Sequence, residues 1–342
     1  MGMVYLARAL AVFLLTVSTA YSGGANLAVS KAPKARPQPV IHVDEVNNLA
    51  TMDLIGMNDD GSAVLRAQVL LDRAHFSVGE IDGIFGTNML NSLNAYQAAH
   101  DLPTDGAMNP DTWEALDVDA EILPILVPYT ITKKDVAGPF NRVPRDMMEQ
   151  AKLARLGYSS PIEAFGERFH ASTALLQSLN PGKQFGKAGE RILVPNIDRT
   201  PLPERPAMVV VKKDCSCVEA LDAANHLMAH YPATMGSSHD PLPVGQMKLA
   251  KPSWNPIFFY DSNLFWDAKV KGEKAVIPSG PKNPVGVVWI GLSKAHLGIH
   301  GTPTPSTIGR AHSHGCIRLT NWDATELGNI VQAGMTASLR ES

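Results

Sequence analysis

Residues 299–327 read IHGTPTPSTIGRAHSHGCIRLTNWDATEL and place three histidines, three glycines and one cysteine in a single segment. The proline- and glycine-rich turns of this segment, set between short apolar runs, are typical of a β domain. Imidazole and thiol groups serve proteins both as metal ligands and as catalysts of acyl transfer. The arrangement of these four groups distinguishes between the two uses.

A zinc site is the first interpretation, with His300, His312, His314 and Cys316 as its ligands. Imidazole and thiolate are the ligands that zinc prefers. In a strand, however, alternate side chains point to the same side, which does not spread three ligands tetrahedrally. The sequence also offers no acidic or cysteine partner at a usual ligand spacing. We therefore expect no metal in this segment.

A nucleophile with its base is the second interpretation, and the pattern favours it. Cys316 follows Gly315, and a glycine lets the backbone approach a substrate closely and present amide N–H groups to it. His300 lies sixteen positions earlier and can return to the thiol across a proline-rich excursion. Because imidazole titrates near neutrality, it can take the thiol proton and later return one to a leaving amine.

The same segment resembles the active-site signature of the L,D-transpeptidase (YkuD-like) catalytic domain. Two upstream stretches, HYPATMG…DPLPVG and IPSGPKNPVGVVWIGL, are similar to segments of that family, and the resemblance covers residues 208–340. It implies a cysteine acyltransferase that needs neither a metal nor an organic cofactor.

The resemblance also implies a role for each polar residue of the signature. The implied roles are Cys316 as nucleophile, His300 as general acid/base, Gly301 as the carbonyl that orients His300, His314 and Gly315 in the oxyanion pocket, and Ser313 and Arg318 in substrate binding. Arg318 would hold a carboxylate through its planar guanidinium fork, and a plain surface position is the alternative for this residue.

The implied substrates are peptidoglycan stem peptides, which would serve as donor and acceptor, attached to glycan strands. The thiolate would attack the bond between the L-centre of a diamino acid and a terminal D-alanine, and an amine of a second stem would take the acyl group. With water as acceptor, the same acyl-enzyme would make an L,D-carboxypeptidase. A non-catalytic peptidoglycan-binding protein is the third possibility, against which the intact His300, Gly315 and Cys316 argue.

The N-terminus has the pattern of a secretory signal. Arg8 precedes the apolar run Leu10–Val17, and Ser18-Thr19-Ala20 supplies small residues for cleavage, which predicts a signal peptide over residues 1–20. The apolar run is shorter than the roughly 20 residues that a transmembrane helix needs. We expect export to the periplasm or cell wall and no transmembrane span. The polar residues 21–50 predict a flexible linker.

Residues 51–120 show helical periodicity interrupted by two Asp-Gly turns, at Asp82 and Asp105, which predicts a three-helix unit. The order of Gln68, Gln97 and the two turns resembles the peptidoglycan-binding three-helix domain. Asp-Gly turns are structural wherever they occur, so we expect both aspartates to build the fold.

Residues 128–197 begin with the strand-like PYTIT and end with RILVP, and two short amphipathic helices lie between them, with Ser172 as N-cap. The βααβ order and the stretch LLQSLNP…FGKAGERILVP are similar to the LysM carbohydrate-binding module. An insertion follows the first strand. A structural spacer is the alternative interpretation.

The proline-rich DRTPLPERP, residues 198–206, predicts a flexible connector, after which the catalytic domain is expected to fold alone. Residues 207–342 contain short strands with proline and glycine turns, which indicates a mainly β, sandwich-like domain. The predicted fold class is therefore multidomain α+β. The net charge of -3 supplies no basic field for nucleic acid, and we expect a monomer.

Cys215 and Cys217 are separated by one residue. A disulfide between them would close a very small ring, so we expect two reduced strand residues, with a redox or metal-binding pair as the alternative. Cys316 is then the free thiol of interest.

Overall fold

The first part of the chain is helical. A computed structural model describes residues 38–48, 50–119 and 123–342. Its first helices are α1 (Val43–Val46), α2 (Ser62–Arg73), α3 (Thr87–Ala99) and α4 (Pro110–Asp119). The predicted three-helix unit is confirmed by α2 to α4. The predicted signal peptide and most of the predicted linker lie outside the described residues. The last part of that linker is not flexible, because α1 buries Val46 in the helical core.

The two Asp-Gly turns of the helical unit are held in the same way. Gln68 Nε2 donates to Asp82 Oδ1 at 2.9 Å, and its Oε1 accepts from the Gly83 amide at 2.7 Å. Gln97 Nε2 donates to Asp105 Oδ1 at 2.8 Å, and its Oε1 accepts from the amide of the next glycine. Each buried glutamine therefore closes the turn that follows its helix, and the predicted structural role of both aspartates is confirmed.

The middle region has the predicted strand, two helices and closing strand, with a further short helix in the insertion that follows the first strand. It comprises β1 (Leu126–Thr130), α5 (Met147–Gln150), α6 (Pro161–Arg168), α7 (Thr173–Leu179) and β2 (Arg191–Pro195). β1 and β2 pair antiparallel, with Val127 opposite Val194. Ser172 caps α7 by accepting from the Leu175 amide at 3.1 Å, as predicted. The apolar side chains of this region share one core with the helical unit.

The C-terminal region is mainly β, as predicted. Its elements are β3 (Met208–Lys212), β4 (Cys217–Leu221), β5 (Leu227–Pro232), β6 (Thr234–Met235), β7 (Gly245–Lys248), β8 (Ser253–Trp254), β9 (Phe258–Asp261), β10 (Lys274–Ile277), β11 (Val288–Gly291), β12 (Gly298–His300), β13 (Ile317–Arg318), α8 (Asn321–Ile330) and β14 (Thr336–Arg340). One sheet has the order β5-β4-β3-β14-β7 and the other the order β6-β13-β12-β11-β8. Side chains of both sheets form one core.

Two elements of this region were not predicted from the sequence. The hairpin β9–β10 pairs Phe258 with Ile277 and carries several solvent-exposed aromatic and aliphatic side chains. Thr320 is the N-cap of helix α8, and its hydroxyl accepts from the Asp323 amide at 3.1 Å. This N-cap is the sequence signal that could have located the helix.

Cys215 and Cys217 form a disulfide, so the prediction of two reduced residues is wrong. The prediction treated both as strand residues, whereas Cys215 lies in the turn between β3 and β4. Ser216 between them adopts a positive φ of 49°. This turn brings the two Cα atoms to 5.3 Å, within the ordinary range for a disulfide. Cys316 remains the free cysteine, as predicted.

The first residues of the connector 198–206 are bound to the helices on both sides of it, contrary to the predicted flexibility. Arg199 is mostly buried and pairs with Glu326 of α8 at 2.9 Å, while its guanidinium also donates to the carbonyl of Asp72 at the end of α2. His75 joins the same carboxylate of α8 at 2.6 Å. The backbone of β5 bonds the helical unit, since the Ser77 amide donates to the His230 carbonyl at 2.9 Å. Residues 38–342 accordingly form one compact unit.

In the described part of the chain, no helix has the length and apolarity that crossing a bilayer requires.

Candidate active site

A parallel strand pair assembles the site. In the pairing of β12 with β13, Ile299 lies opposite Ile317 and His300 opposite Arg318. Paired residues present their side chains on the same face of a sheet, and Cys316 shares that face because it precedes Arg318 by two positions. His300, Cys316 and Arg318 therefore line one groove. The crossover between β12 and β13 thus brings His300 and Cys316 to the same groove, although they are sixteen positions apart in the sequence.

His300 is held as a neutral imidazole. Its side chain is almost fully buried, with 4% of its surface exposed, and Nδ1 lies 2.7 Å from the carbonyl oxygen of Gly301. A carbonyl accepts only, so Nδ1 carries the proton and Nε2 is left to accept one. Burial and the nearby Arg318 lower the pKa of His300 to about 3. The ring stacks on Trp289, 5.3 Å away.

Cys316 is held as a thiol. Burial raises its pKa, although the Gly298 backbone and Arg318 act in the opposite direction. Its Sγ donates to the carbonyl oxygen of His296 at 3.4 Å. The resting pair is thus a protonated thiol and a neutral imidazole in the same groove.

The loop before the nucleophile is fixed from behind by Ser313. The Ser313 hydroxyl donates to the Cys316 carbonyl at 2.6 Å and accepts from the Gly236 amide at 2.7 Å. This buried hydroxyl is bonded on both sides within the protein, which suits a role in positioning the loop, and the substrate-binding role of Ser313 stays a prediction. Gly315 has a φ of 99°, a left-handed conformation that suits glycine alone, and no atom lies near its missing side chain.

His314 is bound by a residue that the sequence did not point to. Its Nε2 lies 2.8 Å from Oδ1 of Asp267, in the loop that joins β9 to β10. Its Nδ1 is buried and has no hydrogen-bond partner in the described ranges. The edge of the Phe265 ring packs against the imidazole at 5.0 Å. Asp267 was missed because it is 47 positions from His314 and belongs to no recognisable motif.

Arg318 is available to an anionic ligand. Its guanidinium lies in the groove and donates to the His312 carbonyl at 3.5 Å. No described carboxylate lies within ion-pair distance of it. Burial lowers the pKa of Arg318, although Cys316 and Asp267 act in the opposite direction. A planar fork with free donors suits a substrate carboxylate.

The groove around these residues has a volume of about 880 Å³ and is largely aromatic. Its wall residues include Trp254, Phe258, Tyr260, Phe265 and Trp289. Met147 of α5, in the insertion of the middle region, also lines it. The sequence interpretation missed this wall, because its residues come from four separate stretches of the chain.

The zinc interpretation has no geometric support in this loop. His300, His312, His314 and Cys316 form no ligand cluster among the residues that the structure describes. The Nδ1 of His300 and the Nε2 of His314 are bonded to Gly301 and Asp267 instead.

Comparison with known proteins agrees with this geometry. The family model of the L,D-transpeptidase catalytic domain matches residues 205–338, which include all seven predicted site residues. The putative L,D-transpeptidase YkuD of Bacillus subtilis is 32% identical over 173 residues, which are 50% of this chain and 88% of that protein. The chain belongs to the L,D-transpeptidase family.

Other L,D-transpeptidases match less closely. The probable L,D-transpeptidase YbiS of Escherichia coli is 26% identical over 187 residues, or 52% of this chain and 59% of that protein. A solved L,D-transpeptidase from Xylanimonas cellulosilytica aligns with 84% of this chain and 98% of its own, at 14% identity and a TM-score of 0.37.

A second family model, that of the putative peptidoglycan binding domain, matches residues 60–116. The match contains α2, α3 and both Gln–Asp turns, so the predicted resemblance of the helical unit is confirmed. Residues 128–197 lie outside both matched ranges, and their LysM-like character stays a prediction.

Proposed function

We propose that the protein is exported to the periplasm or cell wall, where it crosslinks peptidoglycan stem peptides through a thioester on Cys316. The observation that carries the proposal is the pairing of β12 with β13, by which His300, Cys316 and Arg318 share one groove. Membership of the L,D-transpeptidase family supports the reaction class. The reaction requires neither a metal nor an organic cofactor.

In the first half-reaction, Cys316 attacks the carbonyl carbon between the L-centre of a diamino acid and the terminal D-alanine. The thiol turns from the His296 carbonyl towards His300, and Nε2 of His300 accepts its proton. The Gly301 carbonyl keeps the imidazole in this tautomer throughout. The same imidazole then protonates the leaving amine, the C–N bond breaks, and D-alanine departs.

The negative charge that forms on the attacked oxygen needs donors close to Cys316. We assign this role to the amides of Gly315 and Cys316, with His314 beside them. Because the Nε2 of His314 is bonded to Asp267, its Nδ1 can donate only when the ring is an imidazolium. The Asp267 carboxylate supplies the countercharge for that form.

In the second half-reaction, the amine of another stem attacks the thioester. His300 takes a proton from this amine, the C–S bond breaks, and His300 passes the proton to the departing sulfur, which restores the thiol of Cys316 and the neutral imidazole. The product is a direct bond between two diamino acids. The aromatic wall of the groove supports acceptor binding over hydrolysis, since it covers the site with apolar surface.

Arg318 would bind a carboxylate of the stem peptide. Its guanidinium faces the groove and has no carboxylate partner in the described part of the chain. The helical unit would bind glycan strands and present them to the groove, as the match of residues 60–116 supports, and the LysM-like region would assist it.

The test is mass spectrometry of the products that the mature protein forms from a soluble tetrapeptide stem. We expect a crosslinked dimer and free D-alanine. Cys316→Ala should abolish both, while the Cys215→Ser/Cys217→Ser double variant should retain most of the activity. Tripeptide and D-alanine without dimer, in the presence of acceptor stems, would indicate the carboxypeptidase instead. The absence of any product would indicate a non-catalytic peptidoglycan-binding protein.

A further inference from the structure

A second cluster of ligand-type side chains lies outside the active site, on the sheet that contains β4 and β5. Glu219 of β4 pairs directly with His230 of β5, and Cys217 lies two positions before Glu219 on the same face. The cysteine sulfur, a carboxylate oxygen and a ring nitrogen of these three residues all lie within 4.8 Å of one another. All three side chains are buried.

His230 has an unusual environment for a buried histidine. Its side chain is 1% exposed, and neither ring nitrogen has a hydrogen-bond partner in the described part of the chain. Nδ1 lies 3.9 Å from Oε1 of Glu219, beyond hydrogen-bond distance. A buried polar group without a partner destabilises the fold, so the position needs a reason. A ligand atom aimed at a neighbouring thiol and carboxylate is one.

The disulfide controls the thiol of this cluster. In the oxidised protein the sulfur of Cys217 is bonded to that of Cys215, and it cannot bind a metal. The bond also holds the half-buried Cys215 directly beside Cys217. Reduction would therefore supply two thiols at one place, and Cys215 would open a path from solvent to the buried ligands.

We propose that reduction of the Cys215–Cys217 disulfide creates a zinc site with Cys215, Cys217, Glu219 and His230 as its four ligands. The reductant is a dithiol or two monothiols: its sulfurs become a disulfide, and each protein sulfur gains one electron and one proton. Zinc then displaces both thiol protons, which leave to solvent.

The geometry suits this ion. Tetrahedral zinc with thiolate, imidazole and carboxylate ligands places its donor atoms roughly 3.3–3.8 Å apart. The donor atoms of Cys217, Glu219 and His230 lie within 4.8 Å of one another and need only small side-chain movements, whereas Cys215 must turn towards them once the disulfide is broken. Two thiolates and an imidazole favour zinc over hard cations such as magnesium. Lys212, which pairs with Oε2 of Glu219 at 2.8 Å, leaves Oε1 facing His230.

The site would act on the contact between the helical unit and the catalytic domain, not on acyl transfer. The backbone of His230 receives the Ser77 amide and donates to the His75 carbonyl, each at 2.9 Å. Zinc would fix the strand on which the helical unit docks. The thermal midpoint of the reduced protein should therefore rise when zinc is added.

The test measures zinc bound by the full mature chain, after gel filtration, with and without prior reduction by a phosphine. Every sample carries Cys316→Ser, so that the catalytic thiol is not a ligand. We expect about one zinc per reduced chain and none per oxidised chain. Cobalt(II) in place of zinc should give thiolate charge-transfer absorption. A reduced chain that binds no zinc, or an oxidised chain that binds it equally, would overturn the proposal.

Matched variants identify the ligands. His230→Gln and Cys217→Ser should each weaken zinc binding at least tenfold. His226→Gln is the control, because His226 lies in the turn between the same two strands but is exposed and paired with Asp222. Unchanged affinity in both Cys217→Ser and His230→Gln would place the metal elsewhere and refute the site. Circular dichroism checks that the variants fold. If His230→Gln does not fold, the zinc affinity of Cys217→Ser tests the proposal.

Discussion

At the residue scale, burial shifts the pKa values of the two reacting groups in opposite directions, and each shift favours the uncharged form of its group. It lowers the pKa of His300 to about 3 and raises that of Cys316. The thiol would thus lose its proton only as the nucleophile attacks, when His300 accepts it. A preformed thiolate–imidazolium pair, which many cysteine enzymes use, is not what these surroundings favour.

This state of the thiol can be measured by alkylation of the resting enzyme with iodoacetamide. A thiol with a raised pKa has less thiolate at a given pH than an ordinary one, and the thiolate is the reactive form. We expect slow labelling of Cys316 at neutral pH and about a tenfold increase per pH unit up to its pKa. Labelling that is already maximal at pH 6 would indicate the ion pair. Cys316→Ala supplies the background rate.

A second prediction concerns Ser313, whose hydroxyl joins the Gly236 amide to the Cys316 carbonyl. Ser313→Ala leaves two buried backbone groups unpaired, which should cost about 1–3 kcal/mol of the free energy of unfolding. Because the hydroxyl positions the nucleophile, kcat should fall with little change in KM. Ser306→Ala, an exposed position of the same loop, is the control and should alter neither stability nor kinetics. A rise in KM alone would argue for direct substrate contact.

Much of the site could be predicted from the sequence because its main groups occupy one contiguous segment. His300, Gly301, Ser313, Gly315, Cys316 and Arg318 all belong to it. Asp267, His296 and Trp289 were missed, since each reaches the site only through strand pairing and loop packing. The disulfide was missed for another reason: the turn at Ser216 cannot be seen in residue spacing alone.

At the scale of elements, periodic and capped helices were predictable, whereas the hairpin β9–β10 was not. Its strands do not alternate cleanly between apolar and polar residues, and Phe259 is 73% exposed. Exposed apolar side chains beside a groove are typical of a surface that binds a ligand or partner, and packing against the core does not account for them. The loop at its tip carries Asp267, which ties it to His314.

The tie between Asp267 and His314 is the basis of a third prediction. Asp267→Asn removes the countercharge of a His314 imidazolium, and we expect kcat to fall about fivefold, or roughly 1 kcal/mol for a half-exposed pair. Asp261→Asn, which breaks an ion pair with Lys274 on the same hairpin, is the matched control. Equal effects of the two variants would assign Asp267 to hairpin stability only.

At the scale of the whole molecule, the predicted division into tethered modules is not what the contacts favour. The insertion between β1 and α6 bonds the catalytic domain, with the Leu156 amide donating to the Ser279 carbonyl at 3.1 Å. Asn88 of α3 donates to the Ile308 carbonyl in the active-site loop at 3.0 Å. Such contacts could not be predicted, because they join stretches that lie over a hundred residues apart and share no pattern.

The strongest of these contacts surrounds Arg199, and it provides the last prediction. Arg199 lies between two buried carboxylates, 3.8 Å from Asp72 and 2.9 Å from Glu326. Among the described residues, Arg199→Met leaves Asp72 with His170, and Glu326 with His75, as the remaining ionic partner. Removing one partner from a buried ionic network is strongly destabilising, and we expect a loss of about 3 kcal/mol in the free energy of unfolding.

Calorimetry of the mature protein distinguishes an integrated molecule from a tethered one. The wild type should melt in a single transition, because the helical unit, the connector and the catalytic domain share the Arg199 network. Arg199→Met should lower the midpoint temperature of that transition. It should also reduce turnover of a soluble stem peptide, since Asn88 would no longer be held firmly against the active-site loop. Arg205→Met, at an exposed position of the same connector, should leave both unchanged. Two separate transitions in the wild type, with turnover unaffected by Arg199→Met, would instead support the prediction of a flexible connector and an independently folding catalytic domain.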